Sequence, residues 1–102
     1  MKKKLLCLAL AGAMSMAAQA ADKVKVGFVS TLSGPGGILG VAIRDGFQLG
    51  IEHTGGKLGG LPVELLIEDD QQKPDVAKQL ADKLIKRDKV DFMTGMVFQN
   101  IL

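Results

Sequence analysis

Hydrophobic and polar positions divide the chain into alternating strand-like and helix-like runs. Val24 to Thr31 begins as an alternation, Val-Lys-Val-Gly, and becomes continuously apolar at Phe28-Val29, as a strand buried on both faces does. Farther on, Leu39, Ile43, Phe47 and Ile51 recur every four residues. That spacing predicts a helix from about Ile38 to Thr54 with the stripe inward and Gly55-Gly56 as its left-handed stop. Lys57 to Gly60 reads as a turn, and Pro62 to Asp69 as a second strand with Val63, Leu65 and Ile67 on one face. Pro74 fits the first position of a second helix and Asp75 its first turn. Val76, Ala77, Leu80, Ala81, Leu84 and Ile85 then follow helical spacing as far as Lys86-Arg87. Val90 to Thr94 reads as a third strand and Gly95 to Asn100 as the loop after it.

The order strand, helix, strand, helix, strand predicts an α/β fold, a parallel sheet with right-handed crossovers and helices on both faces in three layers. Three strands and two helices are few for a sheet that must be covered on both faces. The expectation is therefore the front of a longer polypeptide.

The charge distribution changes the picture at the N-terminus. Lys2, Lys3 and Lys4 precede the apolar run Leu5 to Ala11, small and apolar residues continue to Ala18, and Ala18-Gln19-Ala20 forms a small-residue cleavage pattern. Residues 1–20 read as a secretory signal peptide cut between Ala20 and Ala21, with residues 21–102 as the mature part. The apolar run is shorter than the roughly 20 residues of a membrane span. Such a leader suits bacterial export and a periplasmic address. The single cysteine, Cys7, lies inside the leader, so the mature part offers no disulfide, thiolate nucleophile or Cys-ligated metal. Without the leader lysines, ten basic residues face eleven acidic ones, a net charge of −1 that gives no footprint for nucleic acid.

No candidate chemistry assembles into a catalytic constellation. Gly34, Gly37 and Gly40 give G-x-x-G-x-x-G, not the dinucleotide spacing G-x-G-x-x-G, and Gly56-Lys57 lacks the P-loop hydroxyl. Glu68, Asp69 and Asp70 have no histidine or further carboxylate at ligand spacing and read as the strand end leading into a helix N-terminus. His53 is the one histidine, and Ser30, Thr31 and Ser33 have no visible base. Catalytic, metal and cofactor-binding residues are accordingly not expected. In an open parallel sheet, ligands bind beyond the carboxyl ends of the strands where connections diverge. The loops there are Leu32 to Gly40, Asp70 to Lys73 and Gly95 to Asn100, and the first and third form the site if their strands are neighbours. Ser33, Gln99 and Asn100 then offer hydrogen bonds, and Leu39 and Phe98 either an apolar wall or ordinary core.

These residues resemble the start of the periplasmic solute-binding proteins of ABC transporters, in the leucine/isoleucine/valine-binding, type I family. The resemblance rests on the exported leader, Val26-Gly27-Phe28-Val29-Ser30-Thr31-Leu32-Ser33-Gly34-Pro35, the Gly55-Gly56 and Gly59-Gly60 turn, and Glu68-Asp69-Asp70 leading through Pro74 into the second helix. It implies two α/β lobes closing on a small ligand, of which residues 21–102 are an incomplete first lobe. It also implies delivery to an ABC permease in the inner membrane, with no catalysis and no cofactor. Leu39 stands where amino-acid binders commonly carry an aromatic residue, and Gln99 and Asn100 where a serine often meets the ligand carboxylate. The implied ligand is thus an amino acid or an aromatic or other organic acid. A sensor with the same ligand-binding fold, or a Rossmann-like enzyme fragment, are the alternatives.

Overall fold

The computed structural model describes residues 22–101; the expected leader and its cleavage site lie outside the described residues. The elements are β1 (Val24–Ser30), α1 (Gly37–His53), β2 (Lys57–Leu58), β3 (Leu61–Asp69), α2 (Pro74–Lys86), β4 (Phe92–Thr94) and a single 3-10 turn at Gln99–Ile101. The sheet order is β2-β3-β1-β4. Parallel pairing holds β1 between β3, with Val24 opposite Val63 and Ser30 opposite Asp69, and β4, with Val26 opposite Phe92 and Phe28 opposite Thr94.

One departure from the expected all-parallel sheet lies in the segment read as a turn. Lys57-Leu58 pairs antiparallel with Leu61-Pro62, so the sheet is mixed. Gly59 and Gly60, at φ 57° and 81°, let the chain reverse in two residues, and the short strand falls out of that reversal.

The strand alternation of β1 separates the two helices. The Phe28 ring meets Phe47 of α1 with centroids 5.7 Å apart. On the other face, a β-carbon at Gly27 would stand 3.1 Å from Leu84 Cδ1 of α2. The helices therefore cover opposite faces, as a three-layer arrangement requires. Val26, Phe28, Val29 and Leu84 form the buried centre.

Helix α1 ends in a Schellman motif, Gly56 N–H donating to the Ile51 carbonyl at 2.9 Å and Gly55 N–H to that of Glu52 at 3.0 Å. Its inward face differs from the expected stripe. Phe47 and Ile51 do face the sheet in part, but Leu39 and Ile43 are exposed, while Gly37 and Gly40 are buried. The cause is steric. A β-carbon at Gly40 would lie 1.8 Å from the Thr31 carbonyl oxygen, so only the glycine edge of the first turn can touch the end of β1, and the neighbouring Leu39 is turned outward. In α2, Ala77 and Leu84 are buried as the spacing predicts, whereas Ile85 at the stripe's margin is 57% exposed. Among the described residues, no helix is long and apolar enough to cross a membrane.

Candidate functional site

Because β1 and β4 are neighbours, and the chain leaves β1 for α1 on one face but leaves β4 for the 3-10 turn beside α2 on the other, the loops after these strands diverge at a switch point of the sheet. The condition for pairing the first and third loops is met. They touch at Gly36, the residue before α1. A β-carbon there would stand 2.9 Å from Cε2 and Cζ of Phe98 and 3.1 Å from Oε1 of Gln72, so the aromatic ring of the third loop and the carboxamide of the second both lie on bare backbone of the first.

The second loop is braced by two carboxylates. Asp69 Oδ1 accepts the N–H of Leu32 at 2.9 Å and that of Gln71 at 2.9 Å. Asp70, fully buried, accepts the Thr31 hydroxyl at 2.6 Å and the Gln72 N–H at 2.8 Å through Oδ1. Each aspartate thus bonds the backbone two residues on, and together they hold Gln71 and Gln72 in the left-handed region at φ 55° and 57°. Two consecutive non-glycine residues there carry about 1 kcal/mol or more of strain apiece. Burial works against the charged form of Asp69, but hydrogen bonds from Ser33, Leu32 and Gln71 outweigh it and hold its carboxyl below the usual range. Ser30 Oγ and Asp70 Oδ2 are buried with no hydrogen-bond partner among the described residues.

The residues singled out from sequence are distributed around this junction. Ser33 is exposed in the first loop. Leu39 is exposed in the first turn of α1, and Phe98 lies on Gly36. Gln99 opens the 3-10 turn, exposed. Asn100 faces the α2 side, where with Val29, Pro74, Ala77 and Ile101 it lines an open cavity of about 480 Å³. Thus Phe98 joins the first loop directly and Asn100 does not turn toward it. Sequence reasoning missed Gly36, Gln72 and the buried Thr31–Asp70 bond. The available signal was the adjacent pair Asp69-Asp70 before two polar residues, a pattern able to form successive side-chain-capped turns. Among the described residues, no group of three or more His, Cys, Asp or Glu side chains gathers to hold a metal.

The periplasmic binding protein family matches residues 23–102. A Leu/Ile/Val-binding protein homolog of Brucella abortus is 35% identical over 99 residues, covering 94% of this chain and 25% of that protein. An ABC transporter substrate-binding protein from Sphaerobacter thermophilus superposes with a TM-score of 0.74 at 37% identity over 78% of this chain and 21% of its own. A solute-binding protein of an R. palustris ABC transporter, solved with benzoate, has the same score and identity over 78% of this chain and 22% of its own. The chain thus spans about a quarter of the length of the relatives it matches.

Proposed function

The chain belongs to the periplasmic binding protein family, and from that premise we propose that it forms the opening part of the solute-capturing component of an ABC importer. Residues 1–20 are the cleaved leader that carries it to the periplasm, and residues 21–102 the start of the first of two lobes that close on a ligand and hand it to the permease. The observation that carries this reading is the junction at Gly36. Loops from neighbouring strands β1 and β4 meet there at the switch point, where an open α/β sheet receives its ligand. Phe98 supplies apolar surface at that edge, and the exposed Ser33 and Gln99 supply polar groups.

The ligand class supported best is a small carboxylic acid. A relative 37% identical holds benzoate and another, 33% identical, holds 4-hydroxybenzoate. A carboxylate is also what these ligands share with the branched-chain amino acids named by the Brucella relative. In this reading the captured ligand is released unchanged to the permease.

Calorimetric titration of the protein from its complete reading frame, with benzoate and separately with L-isoleucine, tests the reading. Saturable binding of either, with the ligand recovered intact, is the expected result. Conversion of the ligand, or binding of neither probe, would sink it.

A further inference from the structure

Gln72 has a placement that the turn alone does not explain. Strain at φ 57° is sustained by a fully buried carboxylate, Asp70, whose Oδ1 fixes both the Gln72 N–H and the Thr31 hydroxyl. The result is to set one edge of the Gln72 carboxamide on Gly36, beside the Phe98 ring, where all three loops converge. The side chain is otherwise exposed, and its amide makes no hydrogen bond among the described residues. Neither the first loop, from Thr31 to Gly36, nor the third, from Gly95 to Asn100, contains a lysine or arginine. An acid met by the first and third loops finds only neutral donors there, and the one cation of the three loops is Lys73, beside Gln72 in the second.

Building on the solute-capture reading, we propose that Gln72 is a specificity-determining residue of the site, its carboxamide N–H donating to a carboxylate oxygen of the ligand while Asp70 holds it in place. Glycine at position 72 would remove the strain but also the donor, so strain and recognition are tied to one residue.

The test uses the protein from its complete reading frame, with benzoate as the probe. Gln72→Ala is expected to weaken binding by at least about tenfold, the scale of a hydrogen bond to a charged group. Gln72→Glu keeps the size and the backbone demand but presents only acceptors, and should weaken binding further. Gln71→Gly and Gln72→Gly both relieve left-handed strain and should both raise Tm, but only the second should lose affinity. A purely structural role for Gln72 would leave affinity following Tm instead. Unchanged benzoate affinity in Gln72→Ala, or an equal loss in Lys73→Ala, would overturn the inference while leaving solute capture intact. If the unsubstituted protein binds L-isoleucine and not benzoate, Gln72→Ala is expected to weaken L-isoleucine binding by the same factor, and unchanged affinity overturns the inference equally. Failure of both probes on the unsubstituted protein removes the reading and the inference together.

Discussion

The two faces of β1 are packed by opposite devices. On the α1 face the missing side chains belong to the helix: Gly37 and Gly40 bring backbone against Leu32 and Thr31. On the α2 face the missing side chain belongs to the strand: Gly27 leaves the space that Leu84, Met93 and Val90 fill. The first contact is backbone on backbone and rigid; the second is side chain on backbone and adjustable. The rigid contact lies beside the loop junction at Gly36, and the adjustable one farther back along the sheet. Glycine therefore marks different things on the two faces, a fixed distance next to the site and a filled gap in the core.

Substitution should separate the two. Gly40→Ala places its β-carbon 1.8 Å from the Thr31 oxygen and 2.6 Å from the Thr31 carbonyl carbon, and neither atom can yield without moving β1. A loss beyond about 4 kcal/mol is expected, enough to prevent cooperative folding. Circular dichroism melting of the purified variant checks it, and a native-like melt would break the contrast. Leu84→Ala, at a fully buried side chain, should follow with a loss of about 3 kcal/mol from a cavity that neighbours only partly refill, measured by denaturant unfolding.

The contrast also explains how much was legible. Strand and helix order, the Pro74 start of α2 and the Gly55-Gly56 stop of α1 follow from local chemistry, so hydrophobic period and turn residues suffice. The inward face of α1 does not. Leu39 and Ile43 complete a good four-residue stripe, but a contact between Gly40 and a carbonyl nine residues earlier decides the rotation, and periodicity gives glycine no weight. At the site, adjacency of the first and third loops needed only strand order. The part played by Gln72 needed the left-handed turn that two aspartates impose, a conformation contrary to the intrinsic preference of glutamine.

A smaller effect sharpens the adjustable side. Gly27→Ala would bring its β-carbon to 3.1 Å from Leu84 Cδ1, 3.3 Å from Met93 Cγ and 3.4 Å from Val90 Cγ1, all side-chain atoms that can give. A loss of about 1 kcal/mol is expected. In the double variant Gly27→Ala/Leu84→Ala the new methyl enters the space the leucine vacates, so the combined loss should fall short of the sum by about 1 kcal/mol. Strict additivity in a double-mutant cycle would mean that the two residues do not share that space.

The smallest expected effect is electrostatic, and it assigns opposite pH limbs to two different ties. Asp69 ties the second loop to Leu32 of the first; despite burial, hydrogen bonds from Ser33, Leu32 and Gln71 hold its folded pKa below the unfolded value of about 3.9. Its contribution is therefore complete above that value and disappears as pH falls through the folded pKa. Lys83 ties α2 to β3 through Glu68 at 2.5 Å, and that hydrogen bond, with the carboxylate charge, raises its folded pKa above the unfolded value of about 10.4. This contribution is complete below the unfolded pKa and is lost as pH rises through the folded one. Both side chains are solvent-accessible, so each effect should be smaller than that of Gly27→Ala. Melting across pH should show Asp69→Asn flattening the acid limb alone and Lys83→Met the alkaline limb alone. If Asp69→Asn left the acid limb unchanged, the carboxylate's hydrogen bond from Leu32 would not be what joins the two loops beside the rigid contact.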